Sequence, residues 1–429
     1  MLRKRLASIF TSLVLSLLGV GLVTCSGEIY LRKVIPFNQS TWPAKLDPRV
    51  GFLFEPGATI QQTNYVDFWV SSRVNRWGFL DREPTRTSTA GNCNVVILGD
   101  SFVEAVQTPL ESRIQVELES LLAERAPGLS VRTYAFGYSG TGQTNQLPFY
   151  DEFARRLSPR VVVLVFVPND FANNSPELEA VRNGWDPRHA PRLFYRRTDD
   201  SNFTTLPIDP EWQKHLLPAV PSTTSRCQRW HSELFARSYL YDWVYTQVSI
   251  QYPSWVSGLA GRPLSDIYIE RMKAIEALPG YERSFEGWRY PNDFDMDMIY
   301  CTEGPLPPVF EAALAETGHA LDLFASRAKQ DGATLIALSS YGISTNGVAD
   351  GFGRKAIARG YRGRLEELLK PRGIPVIDQS DYIQSVHGRL EDAYFSRNAH
   401  WSPQGHRWAA EALAAYFGEH PELCARHSR

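Results

Sequence analysis

The stretch 161–167, reading VVVLVFV, leaves little choice of fold. A strand points successive side chains to opposite faces, and here neither face carries a polar group, so both must be buried. That condition is met in a parallel sheet covered on both sides by helices. The neighbouring sequence has the rhythm such a sheet needs. Short β-branched runs at 95–99, 131–136, 334–338 and 374–377 alternate with amphipathic helical patterns at 111–124, 147–156, 309–329 and 355–369. A closing helix begins near Ser402, an N-cap followed by Pro403. Strand–helix alternation of this kind predicts an α/β fold with a parallel sheet wrapped on both faces.

The alternation is interrupted between about 175 and 306 by a block rich in Trp, Tyr, Pro and Arg, including Trp185, Trp212, Trp230, Trp243, Trp255 and Trp288. Such rings either form a cap's own small core or line a cleft where they suit sugar faces. Ahead of the sheet, alternating stretches such as 65–70 predict a β-rich extension. The expected organisation is an anchor at 1–30, the extension at 31–90, the first half of the sheet domain at 91–175, an insertion at 176–305, the second half at 306–415 and a tail at 416–429.

With 429 residues and 43% hydrophobic content the chain can fill a large core. Its 45 basic and 47 acidic residues are not clustered into an aromatic-interleaved basic stripe, so no nucleic-acid partner is expected. Arg3, Lys4 and Arg5 precede an uncharged run of 22 residues, 6–27. At about 1.5 Å per residue it would cross a hydrocarbon core of roughly 30 Å. The basic flank stays cytoplasmic, which predicts a single pass through the inner membrane and a periplasmic or extracellular domain. A cleaved signal is the alternative, Leu22-Val23-Thr24-Cys25 loosely resembling a lipoprotein box. In an oxidising compartment Cys93, Cys227, Cys301 and Cys424 could form up to two disulfides, with Cys227 and Cys301 bracketing part of the insertion, or remain buried thiols. Their spacing fits no zinc site, and no metal or cofactor is expected.

Chemistry-bearing residues fall at strand ends, where open α/β sheets place ligands. Ser101 follows the first strand in Gly99-Asp100-Ser101-Phe102. A serine hydroxyl needs a base and donors for the oxyanion. Ser101 offers its own N–H, Gly140 stands in Gly137-Tyr138-Ser139-Gly140-Thr141-Gly142 after the second strand, and Asn169 stands in Pro168-Asn169-Asp170-Phe171 after the third. His400 lies on the loop before the closing helix, in His400-Trp401-Ser402-Pro403-Gln404-Gly405-His406.

These four blocks, in this order, resemble the SGNH/GDSL hydrolase superfamily over roughly 91–175 and 306–415. The resemblance implies a three-layer α/β/α sandwich of flavodoxin-like type with five parallel strands. It also implies Ser101 as nucleophile, His400 as general base and then acid, and Ser101 N–H, Gly140 N–H and the Asn169 amide as the oxyanion hole. The His-Trp pair and trailing Gly-His resemble the membrane-attached and periplasmic branch that includes alginate O-acetyltransferases, which act on acyl groups of extracellular polysaccharides. One departure matters. The family's acid stands two or three residues before the histidine, where this chain has Asn398 and Arg397. Asn398 can orient the imidazole through its amide oxygen but carries no charge, and Asp392 is an upstream substitute. The expectation is a membrane-anchored serine esterase or O-acyltransferase on an acyl ester, small or polymeric; the alternative is a weak or inactive carbohydrate-binding or assembly protein. His406 is expected to cap or pack the last helix, Asp100 and Asp170 to hold their turns, and Arg364, Glu366 and Glu367 to form a solvated face.

Overall fold

The computed structural model describes residues 2–34, 42–85, 93–125, 130–199, 201–218, 226–256, 264–288, 293–302, 304–340 and 358–424. They fall into two compact units. The larger comprises Trp42–Ile60, Val70–Ser222 and Pro263–Arg429, and the smaller Met1–Thr41, Gln61–Trp69 and Thr223–Arg262. The 176–305 block is thus divided between them.

The larger unit is built on the parallel sheet. Its strands are β1 (Cys93–Gly99), β2 (Val131–Gly137), β3 (Val161–Phe166), β4 (Thr334–Ser339) and β5 (Val376–Asp378), in the order β5-β4-β3-β1-β2. All neighbouring pairs are parallel, with Val95 and Thr334 both opposite Val161. Every residue of β3 is buried, as VVVLVFV requires. Its two faces feed two separate apolar clusters, Val162 and Leu164 on one side and Val161, Val163 and Val165 on the other. This is the expected α/β sandwich with five parallel strands. The chain leaves β1 toward one edge and returns on the other side at β3, so the order reverses between β1 and β3. Ligand crevices in open sheets form at the carboxyl ends flanking such a reversal, which is where Ser101 and Asn169 are carried.

Two helices depart from the sequence expectation for identifiable reasons. The 111–124 pattern splits into a 3₁₀ turn, Leu110–Ser112, and the helix Ile114–Arg125. Arg113 between them is extended and buried, its Nε donating to the Thr108 carbonyl at 2.9 Å and its Nη2 to Ser72 Oγ at 2.6 Å. The helix expected at 147–156 runs instead over Gln143–Glu152. Its first turn, Gln143 to Gln146, is polar and fully buried, anchored by bonds such as Thr144 N–H to Asn174 Oδ1 at 2.8 Å. Apolar periodicity cannot register a turn held by side-chain hydrogen bonds. The extension forms a hairpin, Ala44–Asp47 with Gly51–Phe54. Part of the Trp-rich block joins the main core: Trp185 and Trp288 are buried in the same cluster as Phe136 and Phe166.

Cys93, opening β1, is bonded to Cys424, directly after the 3₁₀ turn Pro421–Leu423 that follows the closing helix, with Cα atoms 5.2 Å apart. Cys227 and Cys301 are both free, Cys227 exposed and Cys301 buried beside Tyr300 in the core, so the pairing considered for them does not form. A cross-link spanning 331 residues removes much freedom from the unfolded chain. Cys424→Ser should therefore lower stability by about 2–5 kcal/mol, read as a fall in unfolding temperature that disappears when both proteins are reduced.

The smaller unit holds the N-terminal helix Leu2–Val34, whose Phe10–Val34 portion is long and apolar enough to cross a membrane, a test that a signal sequence also passes. The helix continues past Gly27 because Glu28 has a structural partner. Its carboxylate accepts from Ser238 Oγ at 2.8 Å, Leu240 N–H at 2.9 Å and Tyr239 N–H at 3.2 Å, capping the helix Tyr239–Gln251.

Candidate active site

Ser101 opens a one-turn helix, Ser101–Glu104, directly after β1. Asp100 is its N-cap, accepting from Phe102 N–H at 3.0 Å, and Ala105 closes it in the left-handed region. The turn lies against β2, and a Cβ on Gly137 would stand 2.1 Å from the Glu104 backbone nitrogen. Glycine at that position therefore allows the Ser101 turn its seat. Gly140 has φ +67°, a conformation open to glycine at no cost, in the loop after β2. Asn169 opens the helix Asn169–Asn173 after β3.

The histidine arrives from the far end of the chain. Trp401 is fully buried, with Nε1 donating to Ser340 Oγ at 3.2 Å, and pairs with Tyr394 in an isolated antiparallel bridge. That anchors the loop so that His400 Nε2 stands 2.8 Å from Ser101 Oγ. Phe102 supports it from the Ser101 turn, its ring 5.0 Å from the imidazole and 5.1 Å from Trp401. Asn398 Oδ1 lies 2.6 Å from His400 Nδ1 and accepts the His400 backbone N–H at 3.0 Å. Because that backbone donor identifies the facing atom as the amide oxygen, Nδ1 must carry the ring proton. The Nε2 lone pair then faces the serine hydroxyl, the arrangement a general base requires. Burial pushes the imidazole down to about 4, so it is neutral at physiological pH. Asp392, by contrast, is exposed and paired with Arg389 at 3.3 Å.

Around Ser101 the polar groups form a closed set. Asn169 Nδ2 donates to Asp100 Oδ2 and to Asn173 Oδ1, both at 2.8 Å. An oxyanion drawing on this amide would share an N–H with Asp100, whose carboxyl burial pushes upward and makes a weaker competitor. Asp170 is likewise buried and pushed well up, accepting from Gln143 Nε2 at 2.8 Å and Val167 N–H at 3.4 Å. Glu104, pushed up to about 8 by burial, binds the Ser139 hydroxyl and accepts the Ser139 N–H at 3.2 Å. His406 is buried edge-on to Trp401, as a packing residue, and burial pushes it down to about 3. Arg364 and Glu366 are half-buried: Arg364 Nη2 donates to the Thr302 carbonyl at 2.8 Å, so that helix face is partly structural.

One component has no counterpart in the four blocks. Arg192 donates to the Gly140 carbonyl and, at 3.4 Å, to the Ser139 carbonyl, while its Nη1 meets Glu179 Oε2 at 3.3 Å. Glu179 is buried and accepts from Asn173 Nδ2 at 2.9 Å. A continuous chain, Asn169–Asn173–Glu179–Arg192–Gly140, thus connects the loops after β3 and β2. It fixes the two loops relative to each other through charge-assisted bonds. Arg192→Met should retain the fold, since Arg182 still pairs with Glu179 at 2.7 Å, yet lower kcat by roughly 10–100-fold with little change in KM.

Among the described residues His189, Asp209 and His215 form a group with metal-ligand chemistry. His189 Nδ1 is hydrogen-bonded to Asp209 at 2.7 Å and its ring stacks on His215 at 3.8 Å and 13°. The in-plane lone pairs of two stacked rings lie in nearly parallel planes and do not meet at one position, so the two imidazoles form a stacked pair hydrogen-bonded to Asp209.

No family model matches the sequence, and no curated protein matches it. Similar solved structures include a GDSL-like lipase from Parabacteroides merdae, at 8% identity and a TM-score of 0.37 over 76% of this chain and 96% of that one. They also include an acetylxylan esterase from Geobacillus stearothermophilus, at 11% identity and a TM-score of 0.36 over 76% and 95%. The lipase/acylhydrolase of Enterococcus faecalis is similar at 11% identity and a TM-score of 0.34 over 76% and 96%. Nothing in these likenesses reaches the substrate.

Proposed function

We propose that the chain is a serine ester hydrolase, anchored in the inner membrane by its N-terminal helix, with the sheet domain on the periplasmic or outer side. The observation that carries the reading is the run Ser101 Oγ, His400 Nε2, His400 Nδ1, Asn398 Oδ1, at 2.8 and 2.6 Å. The Cys93–Cys424 disulfide supports an oxidising compartment. In this mechanism Oγ attacks the acyl carbon while its proton passes to Nε2. The carbonyl oxygen becomes an oxyanion facing Ser101 N–H, Gly140 N–H and the Asn169 amide. Collapse of the intermediate expels the alcohol, which takes the proton from Nε2, and leaves an acyl-serine. Water then attacks with His400 as base, completing hydrolysis; a sugar hydroxyl in its place makes the reaction an O-acyl transfer. An acyl ester on cell-surface polysaccharide is the substrate class suggested by the His-Trp block.

A fluorophosphonate probe tests the reading. The full chain should be labelled covalently, and labelling should vanish in Ser101→Ala. A second reading, a non-catalytic carbohydrate-binding protein, is favoured by the neutral Asn398 and by the engaged amide of Asn169. A folded wild type that takes no label would overturn the hydrolase reading and favour the second.

A further inference from the structure

Outside the N-terminal helix, the exposed large apolar side chains of the described residues concentrate in the smaller unit. Trp255 is 74% exposed, Trp230 65%, Trp69 53%, Tyr252 48%, and Trp243 and Leu234 39% each. The much larger unit contributes Trp42, Leu216, Ile269 and Val386. Single exposed rings need no explanation, but a concentration in a small unit does.

The helix Arg226–Arg237 shows what surface they belong to. Arg226, Arg229, Trp230, Glu233, Leu234 and Arg237 follow one another at helical spacing and line a groove of about 550 Å³. Arg237 is paired with Glu233 at 2.9 Å. Arg226 and Arg229 bring further positive charge to the same groove. A face that mixes guanidinium groups with tryptophan and leucine suits the layer where acyl chains meet phosphates, the aromatic ring at the boundary and the arginine reaching outward.

The position of this helix along the apolar span agrees with that layer. Arg32 donates to the Arg237 carbonyl, and Glu28 caps the next helix at Ser238, Tyr239 and Leu240. Both come from the end of the N-terminal helix, directly after the uncharged run closes at Gly27. The turn joining the two helices is therefore pinned to the point at which the span would leave hydrocarbon. Tyr65 ties the segment bearing Trp69 to the same helix pair, its hydroxyl donating to Asp242 Oδ2 at 2.9 Å.

We propose that the helices Arg226–Arg237 and Tyr239–Gln251, with Trp69 and Trp255, form a bilayer-embedded collar whose Arg226 and Arg229 bind the phosphates of anionic phospholipids. The collar rests on the anchor reading given above. It sets the unit at headgroup depth and supplies the second attachment that a single helix lacks.

The test uses the full chain in nanodiscs of phosphatidylcholine, with and without phosphatidylglycerol, doped with lipids brominated at shallow or deep acyl positions. The N-terminal helix contains no tryptophan, so quenching reports on the rest of the chain. Shallow bromines should quench part of the emission, and the quenched fraction should fall in Trp230→Phe and in Trp255→Phe. Phosphatidylglycerol retained on purification should drop several-fold in the Arg226→Ala/Arg229→Ala double variant. Quenching unchanged in both tryptophan variants overturns the collar, and unchanged lipid retention overturns the phosphate site. Alkaline carbonate extraction separates the two readings. A chain that resists extraction but shows no quenching refutes the collar and leaves the anchor; an extractable chain that is still quenched refutes the anchor and leaves the collar.

Discussion

His400→Ala should reduce the turnover of an aryl acetate by roughly three to six orders of magnitude while leaving the fold intact. The imidazole is held by Asn398 and by the Phe102 ring and makes no contribution to the sheet, so its loss removes the base without opening the core. Ser101→Ala should cause a comparable loss. The two together should cost no more than either alone, because nucleophile and base act as a unit and neither works without the other. The residual rate, from binding and the oxyanion donors, should persist in the double variant. Steady-state kinetics of the four proteins, with circular dichroism as a control on folding, provides the measurement. Retained turnover in His400→Ala would show that another group deprotonates Ser101, and additive losses would show that the 2.8 Å contact is not used in catalysis.

The parts of this design that could be read from sequence are those written in periodicity. The all-apolar run at 161–167 demands a doubly buried strand, and Ser101, Gly140 and Asn169 each stand just beyond a strand of the sheet it belongs to. What escaped is written in polar contacts between distant segments. Glu179 lies on the short helix Pro176–Asn183 and Arg192 in the irregular stretch before Phe194, and their meaning appears only when the chain brings them beside Gly140 and Asn173. Phe102 reads as one more apolar residue after the nucleophile until His400 and Trp401 are packed against it. Cys93 and Cys424 are 331 positions apart, and no spacing rule selects that pair over others. Asp392 reads as an upstream substitute for Asn398, and what separates them is the folded loop, which places Asn398 Oδ1 2.6 Å from His400 Nδ1 and pairs Asp392 with Arg389.

Asn398→Asp tests what the missing charge costs. Burial holds the His400 imidazole down at about 4, and Asn398 offers only an amide dipole to the imidazolium that forms as Ser101 is deprotonated. A carboxylate in the same place would accept the same two bonds, from Nδ1 and from the His400 N–H, and would add a negative charge close to the ring. A fixed negative charge beside the imidazolium lowers the barrier to its formation, so the variant should be faster at pH 7, by about tenfold. The same charge favours protonated His400, raising its folded pKa from about 4 toward the ordinary histidine range. The base acts only when neutral, so the acid limb of the kcat/KM profile should move upward in the variant. The wild type, whose imidazole stays neutral into acidic solution, should then lose less of its rate between pH 6 and 5, roughly, than the variant does. A variant with an unchanged limb and an unchanged rate would mean that position 398 does not bear on the imidazolium. The acceleration of Ser101 would then rest on desolvation and the oxyanion donors alone.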